Sequence, residues 1–406
     1  MKKQFLIPFI LVNLVCNAAL KVGVWRGVLL LNEKENIELP FNFDVAVISG
    51  KTSITIRNAK EKIKIDEIIF KKDSVNFKMP VFDSEFRTKN YGDSLVGVWI
   101  NHARKDKNII KFKAVFNQSY RFPFMVEKPN PFFNGKWEVT FSPGTADSSK
   151  AIGVFDQRST YVDGTFLTET GDYRFLSGMK FKDKLYLSCF DGSHAFLFIG
   201  KSNYSDSITD GDFYSGAHWH EKWVAVRNDS FKLANPENIT QLKKEVESIN
   251  FSFPNLDNKK VSIKDEKFKG KVVIVQVMGS WCPNCMDETA YLAQLYKQNK
   301  SKGLEIIALA YEKTADFEKA KSNVSRLKKR FGAEYEFLIT GLTGKEKAAA
   351  SLPALSNIAA FPTTIYIDKK GKVRKIYTGF SGPATGKEYE KFKESTENFI
   401  GDLLKE

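Results

Sequence analysis

Lys271–Glu288 reads Lys-Val-Val-Ile-Val-Gln-Val-Met-Gly-Ser-Trp-Cys-Pro-Asn-Cys-Met-Asp-Glu. Lys271 to Met278 is a nearly unbroken apolar run, the pattern of a strand buried on both faces of a central sheet. Gly279 and Ser280 end it. Pro283 is suited to the first turn of a helix, where its missing N–H costs nothing, and so sets Cys282 at the helix start. The helix is expected to run to about Lys300. Open N–H groups at a helix N-terminus favour an anion, and the thiolate is the nucleophilic form of cysteine. Cys285 follows about one turn later, so the two sulfurs are within reach of each other.

Cys285, Glu288, Leu292 and Leu295 share one helical face, and the leucines mark that face as the inner one. A carboxylate held there should have a raised pKa and can exchange a proton with the Cys285 thiol. The plain alternative is a helix-face glutamate reaching water. The expected arrangement is an exposed outer sulfur at 282, with the inner sulfur at 285 behind it and next to a carboxylate.

Trp281-Cys282-Pro283-Asn284-Cys285 with Glu288 resembles the thioredoxin-fold thiol–disulfide oxidoreductases of the TlpA/ResA type, over about Phe251–Glu406. The resemblance implies a C-terminal α/β thioredoxin-like domain with Cys282, Cys285 and Glu288 as catalytic groups. It implies no cofactor beyond the redox-active Cys282–Cys285 disulfide, and no metal. Ala360-Phe361-Pro362-Thr363-Thr364 is a second motif. Proline ahead of a strand is plain punctuation on its own. The resemblance makes Pro362 cis, packed against the cysteines, with Trp281, Phe361 and Pro362 as substrate-binding residues. Three positions depart from related patterns. Gln276 stands where thioredoxin has a buried Asp, Pro283-Asn284 holds no His, and Phe361 precedes the proline in place of Thr or Ile.

A chain of 406 residues with 34 Phe calls for two or three domains with ample cores. From Val246 onward 27 Lys/Arg face 20 Asp/Glu, half of the formal net charge of +14. So even a spread argues against a nucleic-acid footprint. Met1–Ala19 reads as a secretory signal, with Lys2 and Lys3 before the apolar run Phe5–Val15. Membrane association is expected only if Cys16 is lipidated. The exported chain would keep Cys189, Cys282 and Cys285, which is redox usage and not a disulfide framework.

Residues 20–241 have strand character throughout, with turn signals at Ser49-Gly50, Gly92-Asp93 and Asp191-Gly192. They are expected to form an all-β domain of unknown role, an antiparallel barrel or sandwich, with a division into two lobes near Pro129–Asn134 as one form. Gly23-Val24-Trp25, Gly97-Val98-Trp99 and Gly135-Lys136-Trp137 make a loose repeat, which resembles lipocalin-like barrels in which such a Trp plugs one end. Ile63–Phe70 reads as one strand. His218 and His220, with His194 and Asp191, are the weak candidates for a metal; ordinary histidines are the simpler reading. Cys189 reads as an inert buried thiol. Asn235–Asn250 reads as a short linker helix, with 242–250 as the linker, before the hairpin of Phe251–Ile263 and the thioredoxin-like domain at 251–406.

These readings converge on an exported thiol–disulfide oxidoreductase in an extracytoplasmic compartment. Its partners would be disulfide-containing protein substrates and an upstream membrane or exported reductant. The alternatives are a peroxiredoxin-like peroxidase, disfavoured by Gly279 where a Thr is expected, and a non-catalytic binding protein using its β-rich half.

Overall fold

The computed structural model describes residues 19–125, 132–203 and 206–406. The expected signal segment before Ala19, with Cys16, lies outside them, as does Pro129 at the expected lobe division. Among the described residues no helix is long and apolar enough to cross a membrane.

The N-terminal part is all-β. Its first nine strands form one antiparallel sheet in which Gly23–Asn32 pairs with both Ile37–Ile48 and Ile109–Phe116. Burial along Gly23–Asn32 alternates with period two, the mark of a strand with one face on a core. That core gathers Trp25, Phe41, Phe43, Phe86 and Phe112. Glu61–Ile65 and Ile68–Lys71 are the two edges of this sheet, so Asp66-Glu67 carries the chain from one edge to the other. The single strand expected over Ile63–Phe70 is therefore divided at these two acidic residues.

The next strands close on themselves. Gly135–Phe141 pairs with both Ser149–Arg158 and Trp219–Arg227, and the intervening strands pair in succession, making an eight-stranded antiparallel barrel. Closure leaves no unpaired edge around the ring. Phe166, Phe198, Phe213 and Trp223 fill its interior. Each lobe opens with a Gly-x-Trp strand and the same local bond. Trp25 Nε1 donates to the carbonyl of Lys21 at 2.9 Å, and Trp137 Nε1 donates to that of Phe133 at 3.0 Å. The two lobes abut where barrel residue Phe190 stacks on Phe41, with ring centroids 4.7 Å apart.

Residues 235–250 do not form the expected linker helix. One 3-10 turn, Pro236–Asn238, is followed by irregular chain with a turn at Lys244-Glu245, pinned to the C-terminal domain by Lys243 N–H donating to Ala354 O and Glu247 O accepting from Val373 N–H. The backbone groups a helix would use internally are spent on its neighbour.

The C-terminal domain is thioredoxin-like. Val272–Met278 lies at the centre of a five-stranded sheet, parallel to Leu304–Ala310 and antiparallel to Thr363–Ile367. All seven of its residues are buried, as the apolar run requires. Helices Pro283–Asn299, Phe317–Phe331 and Lys387–Lys405 contribute Leu292, Leu327 and Leu403 to the core.

Candidate active site

The central strand ends at Met278, and the helix begins at Pro283 with Cys282 as its N-cap. The Cys285 N–H donates to Cys282 Sγ at 3.2 Å, so the first turn directs a backbone donor at the outer sulfur. Both cysteines are free thiols, as is Cys189 in the barrel wall. Phe361–Pro362 is cis, and Cys282 Sγ lies 3.5 Å from the Phe361 carbonyl oxygen, which accepts from the thiol. The two motifs, 79 residues apart in sequence, thus meet at one sulfur.

Glu288 is 1% exposed. Its Oε2 accepts from Gln276 Nε2 at 2.8 Å and its Oε1 from Thr364 Oγ1 at 2.5 Å. Burial pushes its pKa up to about 7 against the pull of these two donors. Burial, then the neighbouring Cys282, pushes the Cys285 thiol well above its ordinary range. Gln276 reaches the helix where thioredoxin has an Asp. Its amide also contacts Thr289 Oγ1 at 3.2 Å, tying the carboxylate to strand and helix together.

Trp281 and Phe361 stand edge to face at 5.7 Å beside the sulfur. The indole N–H donates to Tyr311 O at 3.0 Å, and Lys313 Nζ lies 4.7 Å from the indole centroid. Ser280 gives both its N–H and its hydroxyl to the buried Glu312 carboxylate, each at 2.7 Å, fixing the turn that leads into the cysteines.

Cys282 is not at the surface as expected; it is 6% exposed. Cys282 packs within the C-terminal core and against Phe361, and the barrel meets the residues on either side of it. Gly171 lies so close to Asn284, between the two cysteines, that a Cβ there would sit 1.8 Å from Asn284 Nδ2. Ser193 Oγ donates to Trp281 O at 3.3 Å, and Asp172 Oδ2 accepts from Gly382 N–H at 2.6 Å. A buried cation completes the joint. Arg174, 1% exposed, pairs with Glu61 of the first sheet at 2.5 Å, with Asp191 of the barrel at 3.7 Å and with Asp287 of the cysteine helix. Neither Arg174 nor Glu312 carried a signal in the sequence, because their partners lie far along the chain.

The histidines do not assemble. His220 Nε2 bonds Asp212 at 2.8 Å, His194 faces Asp191, and His218 precedes the strand that begins at Trp219. Among the described residues no group of three or more His, Cys, Asp or Glu is placed to hold a metal.

A thioredoxin-like sheet with a paired thiol at a helix start and a cis-proline across from it defines a class of redox folds. Residues 243–392 match the Redoxin family model. The thiol-disulfide oxidoreductase ResA of Bacillus cereus (strain ZK / E33L) is 33% identical over 127 residues, covering 31% of this chain and 65% of the relative. ResA of Bacillus subtilis (strain 168) is 30% identical over 130 residues, covering 32% and 64%. The chain therefore spans just under two thirds of the length of these relatives. Among solved structures, a putative thiol:disulfide interchange protein DsbE from Chlorobium tepidum is 21% identical, with 40% of this chain and 99% of that chain covered and a TM-score of 0.32. The C-terminal part of the chain is TlpA/ResA-like.

Proposed function

We propose that the chain is a thiol–disulfide oxidoreductase that reduces protein disulfides in an extracytoplasmic compartment. Cys282 Sγ, as thiolate, attacks one sulfur of a substrate disulfide. That S–S bond breaks, a mixed disulfide forms, and the departing substrate thiolate takes up a proton. Glu288 accepts the proton of Cys285. The Cys285 thiolate then attacks Cys282 Sγ, forming the Cys282–Cys285 disulfide and releasing the second substrate thiol. Two electrons leave the dithiol and the substrate becomes a dithiol. A membrane-bound or exported dithiol donor returns the pair to its starting state. Backbone beside Pro362 pairs with the substrate strand, with Trp281 and Phe361 at its flanks.

The observation that carries this reading is the buried Glu288, set one turn beyond a buried Cys285 and held by Gln276 and Thr364. A carboxyl with its pKa near 7 is poised to move a proton at neutral pH. The test is insulin reduction by the full chain. Wild type should turn over and Cys282→Ser should not; equal turnover by the two would overturn the assignment.

A further inference from the structure

Between the first β-sheet and the thioredoxin-like domain lies a cleft of about 730 Å³. Trp281 and Phe361, which flank the Cys282 sulfur, form part of its wall. The facing wall is the turn Asn101–Lys105 of the first sheet, with Ser193 of the barrel beside it, so both N-terminal lobes and the thioredoxin-like domain build one site. Five Lys or Arg line it against two Asp or Glu. Both acids are already engaged: Glu312 by Ser280, and Asp83 by Lys319 at 4.0 Å. Arg104 and Lys313 look across the cleft from opposite lobes, and among the described residues neither has an ion-pair partner. We propose that this cleft holds an extended, acidic segment of a substrate polypeptide, its carboxylates at Arg104 and Lys313 and its disulfide at the Trp281–Phe361 wall beside Cys282.

The proposal rests on the redox reading for what the segment carries, but the site itself is built from charge and shape. Partial desolvation of Lys313, and then the facing Arg104, holds the lysine below its ordinary range; burial does the same to Arg104. Arg104 is half-buried and Lys313 is exposed at the cleft; two facing cations that repel each other are relieved by an anion placed between them. The volume is that of a small-ligand or short-peptide site and excludes a folded domain. The barrel packs against the cysteine turn at Asn284 through Gly171, and its Ser193, which bonds Trp281 O, forms part of the cleft wall next to the indole. Apolar rings on one wall and cations on the rim suit a chain that alternates apolar and acidic side chains.

Binding and turnover test the two layers separately. Two short linear peptides, fluorescently labelled and with serine in place of the cystine, are titrated into the full chain, one rich in Asp and Glu and the other in Lys. The acidic peptide should bind roughly tenfold tighter at about 0.1 M salt, and the preference should shrink at about 1 M. Arg104→Glu should level or reverse it. Lys105→Glu, at an exposed position on the same rim, gives the same direction if Arg104→Glu does not fold. Binding of the two peptides within twofold of each other, or a preference that neither variant changes, overturns the proposal. Reduction of hydroxyethyl disulfide, a small neutral probe, reports the redox reading alone. Its failure beside an intact acidic preference removes the chemistry and leaves the site.

Discussion

Glu288→Gln removes a buried charge without removing its volume, and its effect on stability and on rate should have opposite signs. The Glu288 pKa is pushed from 4.5 to about 7 by burial. Between those values the folded chain holds the proton and the unfolded chain has lost it. Stability contributed by the neutral carboxyl is therefore complete below about pH 4.5 and is lost as pH rises through about 7. The displacement corresponds to about 3 kcal/mol across that window. Wild type should lose about that much between about pH 5 and about pH 8 relative to Glu288→Gln, whose side chain carries no charge at either pH. Urea unfolding of the reduced chains, followed by fluorescence, gives the comparison. The rate moves the other way. Without a proton acceptor one turn from Cys285, resolution of the mixed disulfide should slow by about 10²-fold near neutral pH. In wild type the resolving rate should rise as pH passes about 7 and Glu288 ionises; in the variant that limb should vanish. Parallel pH–stability curves together with unchanged resolution would refute the reasoning that burial tunes this carboxyl for proton transfer.

Three more substitutions probe the cover and the bystander thiol. Arg174→Met strands Glu61, Asp191 and Asp287 around a lost cation; it should cost about 3–5 kcal/mol and speed alkylation of Cys282 as the barrel loosens, measured by unfolding and by mass spectrometry of labelled protein. Gly171→Ala places a methyl against Asn284 at a positive φ of 152°, and should likewise raise Cys282 alkylation while leaving the far face of the barrel unchanged in hydrogen exchange. Cys189 is fully buried, and burial raises its thiol well above the ordinary range, so Cys189→Ala should leave insulin reduction within twofold of wild type.

Much of the C-terminal domain was legible because its signals are local. The apolar run of Val272–Met278 has one solution, a strand covered on both faces, and Pro283 fixes where the next helix begins. The spacing of Cys285, Glu288, Leu292 and Leu295 puts a carboxyl on the inner helix face, and Glu288 is buried there. The N-terminal lobes were legible as β-rich from their turns, and two of the three Gly-x-Trp copies mark the opening strand of each, while Gly97-Val98-Trp99 lies within the strand Ser94–Asn101. Contacts made across long sequence separations were not legible. Cys282 reads as exposed because its own neighbours say nothing of Phe361, 79 residues on, or of Gly171 and Ser193, which pack from the barrel on Asn284 and Trp281. Arg174 lies 113 residues from Asp287, and no periodicity joins them. Asn235–Asn250 is polar enough for a helix on local pattern alone, but its N–H and C=O groups find partners on the thioredoxin-like domain first.

The most direct measurement is the mass of a trapped adduct. Reduced full-length Cys285→Ser is mixed with a disulfide-bonded polypeptide, quenched in acid and digested without reductant. One covalent partner per chain, joined through Cys282, is the predicted result, with no such species for Cys282→Ser. An adduct on Cys189, or sustained disulfide reduction by Cys285→Ser with no adduct at all, would contradict a relay in which sulfur 282 attacks and sulfur 285 releases.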